Sequence, residues 1–185
     1  MTEGTKQSID LKGRVPQPYI AIEGPIGVGK TTLARQLADL FDYQLLLEDA
    51  HENPFLSKFY ENRRQNALAT QLFFLFQRVQ KIDDLKQQDL FRPLRVADFL
   101  IDKDPLFAQV NLDADEYELY SKVYSQMTVD APTPDLVIYL QASVDRLLER
   151  IDRRGIASER TISRQYLEEL NEVYSEFFLY YDAAP

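Results

Sequence analysis

The sequence has no cysteine and a single histidine, His51. The first absence removes disulfides, thiolate nucleophiles and cysteine-ligated zinc. One histidine leaves no basis for a multi-histidine metal site and little for a Ser-His-Asp triad, so acid–base chemistry falls mainly to carboxylates. Long apolar runs are lacking too: none approaches the ~18 residues of a membrane span. The polar start "MTEGTKQSIDLKGRVPQP" lacks the apolar segment of a signal peptide. The expectation is a cytoplasmic protein with no membrane partner. Positive charge is scarce, with 21 Lys and Arg against 30 Asp and Glu, a net charge of −9. Such a surface repels polyanions, which argues against a nucleic-acid polymer as partner. A small anionic ligand remains open where basic side chains converge.

The 185 residues, 45% hydrophobic and 28% charged, suffice for one domain with a real core. Residues 1–17 read as a flexible tail and 18–185 as a single domain. "PYIAIEG" (18–24) is an apolar run ending at glycine, as a buried parallel strand should be. From Lys30 the pattern turns helical, with Leu33, Leu37 and Leu40 three or four apart. "YQLLLED" (43–49) is a second strand, "RPLRVADFL" (92–100) holds a short third, and "PDLVIYLQ" (134–141) is a fourth. Between them lie a short helix at 53–62 with an early proline, a long helix at 66–90, and helical sequence over 103–129 broken near "NLDADE". Leu68, Leu72, Leu75, Val79 and Ile82 form one apolar seam on the long helix. Residues 143–155 start at a serine cap and end at glycine, and a last helix covers 166–182.

Strands alternating with helices predict an α/β fold, a parallel sheet flanked by helices on both faces. About five strands are expected. The chain stops at "DAAP" after a helix, so the fifth is expected to lie beyond that end.

"IAIEGPIGVGKTTLARQL" (20–37) carries the clearest chemistry. Gly24, Gly29, Lys30 and Thr31 satisfy G-x-x-x-x-G-K-[ST] between an apolar strand and a helix. The whole loop, Gly24, Pro25, Ile26, Gly27, Val28, Gly29, Lys30, Thr31 and Thr32, is therefore a candidate phosphate cradle of the P-loop NTPase type. Backbone N–H groups and the helix dipole would hold the anion, Lys30 would add a mobile charge, and Thr31 would ligate Mg²⁺. The expected ligand is ATP. No Asn-Lys-x-Asp stretch is present to read guanine, and motor domains have no room, so a small-molecule kinase leads.

A kinase needs a group to accept the proton of the attacked hydroxyl. Glu48 ends the second strand, on the side of the sheet where such folds bind ligands. On the long helix Gln71, Phe74 and Arg78 share a face distinct from the leucine seam, and could read a nucleobase edge or could form an ordinary polar flank. In "RIDRRG", Arg150 and Arg154 lie four apart on a helix leading into a polar connection. They could neutralise a transferring phosphoryl group from a short helical lid at about 150–162, or simply complement the helix dipole.

Taken together, "GPIGVGKTT", "LLEDAHENPFLSKFYEN", "QLFFLFQR", "LFA" at 106–108 and "RIDRRG…YLEEL" resemble the deoxynucleoside kinase family, above all its bacterial deoxyadenosine/deoxyguanosine kinase branch. The resemblance covers about Tyr19 to Asp182. It implies ATP-dependent phosphorylation of a deoxynucleoside, purine-leaning, at its 5′-hydroxyl, in nucleotide salvage. By this resemblance Glu48 is the base, and Tyr60 with Glu159 contacts the 3′-hydroxyl. Gln71 and Arg78 bind the nucleobase, Phe107 stacks on it, and Arg150 and Arg154 are the lid arginines. A homodimer through the long helix 66–90 is also implied, although the seam there could equally face the chain's own core. The sequence departs from the family where an acidic-Arg-Ser triplet is usual: it reads "VADFLIDKD". Asp98 can supply the acid for Mg²⁺, the arginine is missing, and Lys103 is the nearby cation. The alternatives are a thymidylate or other nucleotide kinase, and a non-catalytic nucleotide-binding module.

Overall fold

The structure is a computed structural model and describes residues 19–87, 94–128 and 130–185. The predicted tail at 1–17, and the last three residues of the predicted 66–90 helix, lie outside them. The elements in chain order are β1 (Tyr19–Glu23), α1 (Lys30–Phe41), β2 (Gln44–Leu46), α2 (Leu56–Glu61) and α3 (Arg63–Gln87). There follow β3 (Arg95–Ala97), α4 (Asp104–Asn111), α5 (Ala114–Met127), β4 (Leu136–Tyr139), α6 (Val144–Arg154) and α7 (Arg164–Tyr180). Short 3₁₀ turns cover Ala50–Glu52, Ile101–Lys103 and Ala157–Thr161.

The four strands form one parallel sheet in the order β2-β3-β1-β4. β1 is buried along its whole length because it lies between two neighbours and under helices on both faces. Its side chains alternate, as a strand's must. Tyr19 and Ala21 pack with Leu75 and Ile82 of α3 and with Tyr120 of α5. Ile20 and Ile22 pack with Ala34 and Ala38 of α1. A third cluster joins Val28 of the loop after β1 to Leu147 and Ile151 of α6, and to Leu167, Leu170 and Tyr174 of α7.

Four strands are found where about five were expected. Along β4, the Val137 N–H donates to the carbonyl of Pro185 (2.9 Å). Three local expectations are corrected. Pro54 lies before α2 rather than inside it, since the helix begins at Leu56. Ser143 precedes α6 without a side-chain capping bond. On α1 the buried ridge is Ala34 and Ala38, while Leu40 is exposed, because a helix lying close against the sheet needs small residues at the contact. The leucine seam of α3 faces the chain's own core: Leu75 and Ile82 are buried there, with Leu68, Leu72 and Val79 against them.

Candidate active site

The carboxyl ends of three parallel strands converge on one cleft, where open α/β sheets bind ligands. The loop of residues 24–29 follows β1, Glu48 follows β2, and Asp98 follows β3. The cleft is about 540 Å³, within the range of small-molecule sites. It is lined by Lys30, Thr31, Thr32, Glu48, Tyr60, Gln71, Arg78, Asp98, Phe107, Arg154 and Glu159, all singled out from sequence. Arg150 is not in the lining.

The loop has the backbone of an anion cradle. Gly24 sits at φ +152° with its Cα facing the Leu140 carbonyl, so a β-carbon there would lie 2.4 Å from that oxygen. Gly29, at φ +108°, caps α1 without a side chain and so leaves the first-turn N–H groups available to an anion. Lys30 folds back over the loop and donates to the carbonyl of Gly24 (2.7 Å) and, more weakly, to that of Pro25 (3.4 Å). Burial lowers its pKa, Glu23 opposes that shift, and Lys103 reinforces it. The Arg150 guanidinium donates to the Val28 carbonyl (2.6 Å) and braces the loop from α6.

Hard oxygen donors stand at the start of α1. The Thr31 hydroxyl donates to Asp98 Oδ2 (2.5 Å), and the Glu48 N–H donates to Asp98 Oδ1 (2.7 Å). Burial raises the Asp98 pKa, partly offset by those two hydrogen bonds. A hydroxyl and a carboxylate suit Mg²⁺, which keeps waters and substrate phosphates as its other ligands. No group of three or more His, Cys, Asp or Glu that could hold a metal ion occurs among the described residues.

Opposite the loop, Glu48 is paired with Arg78, which also donates to Asp104 Oδ2 (2.5 Å). Asp104 is fully buried and accepts a further bond from the Tyr120 hydroxyl (2.9 Å). Burial alone would raise the Glu48 pKa. Arg78, Lys103 and Lys30 outweigh it and hold the carboxyl at about 2. Burial likewise works against the Arg78 charge, and Asp104 and Glu48 more than restore it. The buried Nε of Arg78 has no hydrogen-bond partner among the described residues, and Gln71 is buried as well. At the other end Arg154 donates to Glu159 (2.5 Å), which ties the end of α6 to the turn at Ala157–Thr161. Burial, with Tyr166 and Glu159 nearby, pushes the Tyr60 phenol well above its ordinary pKa.

Sequence reasoning missed Glu23, Asp104, Asn53 and Tyr174. Glu23 is a buried hub: Oε1 accepts from the Gly24 N–H (2.8 Å) and the Tyr174 hydroxyl (2.8 Å), and Oε2 from the Leu100 N–H (2.9 Å). An acid inside the otherwise apolar "YIAIE" was the available signal. Asn53 braces α3 by donating to the Thr70 carbonyl (3.2 Å).

The profile of the family described as "Deoxynucleoside kinase" matches residues 20–185. The chain is 41% identical over 154 residues to a deoxyguanosine kinase of Bacillus subtilis (strain 168), covering 83% of this chain and 74% of that one. It is 31% identical over 176 residues to a deoxyadenosine/deoxycytidine kinase of the same organism, covering 90% and 79%. Its fold is similar to that of a deoxyadenosine kinase from M. mycoides with bound dATP, at TM-score 0.78 and 27% identity over 90% of this chain and 91% of that one.

Proposed function

Because the chain belongs to the deoxynucleoside kinase family, we propose that its cleft phosphorylates a purine-leaning deoxynucleoside from ATP, with Glu48 as the acceptor-side base. The observation that carries this is the pairing of two half-sites: a phosphate cradle at residues 24–32 shares one cleft with a half-buried Glu48 carboxylate that Arg78 pairs with.

The ATP phosphates rest on the loop amides, with Lys30 released from the Gly24 carbonyl to meet them. Thr31 and Asp98 would hold Mg²⁺, which neutralises phosphate charge when bound. Arg78 holds Glu48 ionised and in place, so its carboxylate can accept a hydrogen bond and then the proton from the 5′-hydroxyl. A pKa of about 2 makes Glu48 a weak base. That suits a loose transition state, in which the proton leaves late and orientation matters most. Gln71 and Arg78 line the cleft and would read the base edge, and Phe107 would offer its ring. Tyr60 and Glu159 take the sugar 3′-hydroxyl, with Arg154 closing over the phosphoryl group. Arg150 gives one N–H to the Val28 carbonyl and keeps its remaining donors for the phosphates. A nucleoside fits this acceptor side better than a nucleotide does, since Glu48 would repel an acceptor phosphate.

The reaction belongs to nucleotide salvage, and we place the protein in the cytoplasm. No helix among the described residues is long and apolar enough to cross a membrane. A homodimer would use the outer face of α3, where Phe76 is exposed, together with Leu119 of α5. The test is incubation with Mg-ATP and each of the four deoxynucleosides. The expected result is a 5′-monophosphate, formed fastest from a purine. ATP binding without product from any of them would overturn the proposal.

A further inference from the structure

Lys103 closes the turn at Ile101–Lys103 that leads into α4. It is 2% exposed yet lines the cleft. Its Nζ lies 3.4 Å from Glu23 Oε2 and 4.7 Å from the centre of the Phe107 ring. Lys30 and Arg78, two other cations lining the cleft, are engaged: Lys30 donates to a loop carbonyl, and Arg78 is held by Asp104 and Glu48. The Lys103 ammonium has three donors and, among the described residues, only that one long ion pair to Glu23. A buried ammonium left with spare donors is costly unless a ligand takes them. It lines the same cleft as Lys30 of the cradle and the Glu48 carboxylate, and Glu23, its ion-pair partner, also lies 3.9 Å from the Lys30 Nζ.

We propose that Lys103 is a catalytic residue whose ammonium donates hydrogen bonds to the oxygens exchanged in the transfer, and that Glu23 and Phe107 position it there. This rests on the kinase reading above. In the step, the 5′-oxygen bonds to the γ-phosphorus, and the bond from that phosphorus to the β–γ bridging oxygen breaks. Its electron pair leaves on ADP, and the 5′-proton passes to Glu48. Lys103 stays protonated throughout, and stabilises charge without moving a proton. Glu23 thereby links the two halves of the site, since it also anchors the Gly24 N–H at the root of the cradle.

The test uses the full chain, with deoxyguanosine and deoxyadenosine as acceptors. Lys103→Met should cut kcat by about 100-fold, the usual effect of removing one transition-state donor, with the Kd of ATP and of nucleoside within about threefold. Lys103→Arg should recover turnover to within about tenfold of the wild type. Lys103→Met alone leaves the Glu23 carboxylate without its nearest cation, so the double variant Glu23→Gln/Lys103→Met removes that imbalance. The double variant should remain slow, and should melt below the wild type because an amide at this position has one acceptor oxygen for the Gly24, Tyr174 and Leu100 donors. Turnover of Lys103→Met within about threefold of wild type, or restoration of turnover in the double variant, would overturn the proposal. A wild-type chain inert with all four deoxynucleosides would instead overturn the kinase reading, and this role with it.

Discussion

The two walls of the cleft are built from different materials. The donor wall, residues 24–32, is mostly backbone: glycines, amides and the start of α1, contiguous in sequence. The acceptor wall is mostly side chain. Glu48 comes from the end of β2, Arg78 from α3, Asp104 from α4 and Tyr120 from α5, and they meet as a buried chain of charges. A backbone cradle binds any triphosphate, because amides and a dipole read only charge and shape. A side-chain wall selects, because each charge needs its particular partner. In the proposed reaction the donor wall would make the protein a nucleotide user, and the acceptor wall would give it a substrate.

If that contrast is right, the most damaging change belongs to the acceptor wall. Asp104→Ala should cost about 3–5 kcal/mol by leaving Arg78 half-paired in the interior. Chemical denaturation would show it, and a loss under about 1 kcal/mol would mean the charge chain is not structural. Next comes Gly24→Ala in the donor wall. It combines a strained φ with a backbone clash at 2.4 Å, so ATP binding should fall by tenfold or more, as read by calorimetry, where tenfold corresponds to about 1.4 kcal/mol. Gly29→Ala is the control: its φ is also positive, but nothing lies within 4 Å of the added carbon. It should cost only the strain, about 1 kcal/mol. Equal effects at the two glycines would show that close approach to Leu140 does not shape the cradle.

A further test is a pH dependence. The Glu48 carboxyl is held below its ordinary 4.5, at about 2. A depressed carboxyl contributes stability that is present above pH 4.5 and is lost as the pH falls towards 2. The difference in melting temperature between wild type and Glu48→Gln should therefore be constant above about pH 5 and shrink below about pH 4.5. A difference that grows on acidification would reverse the assigned sign.

The same contrast explains what was legible in the sequence. The cradle was readable because its residues are adjacent and follow the spacing of a phosphate-binding loop. Glu48, Gln71 and Arg78 could be picked out by type and by place on a strand end or helix face. Their pairings could not: Asp104 is 26 residues from Arg78, and Lys103 reaches Glu23 from the turn after the neighbouring strand β3. Only the fold brings such partners together. Arg150 and Arg154 looked equivalent at four residues apart. A turn of helix sends one to the loop carbonyl of Val28 and the other to Glu159 in the lid turn. The seam on α3 was visible as a pattern, but whether it faced a second copy or the chain's own core depended on where the sheet lay.

The central claim is that donor and acceptor walls act separately, with Glu48 serving only the acceptor. Calorimetric ATP binding and single-turnover phosphorylation of a deoxynucleoside, measured side by side on wild type and Glu48→Gln, test it most directly. The account predicts ATP affinity within about threefold and a chemical step slower by about 100-fold or more. A variant that turns over at the wild-type rate, or one that loses ATP binding together with turnover, would contradict it.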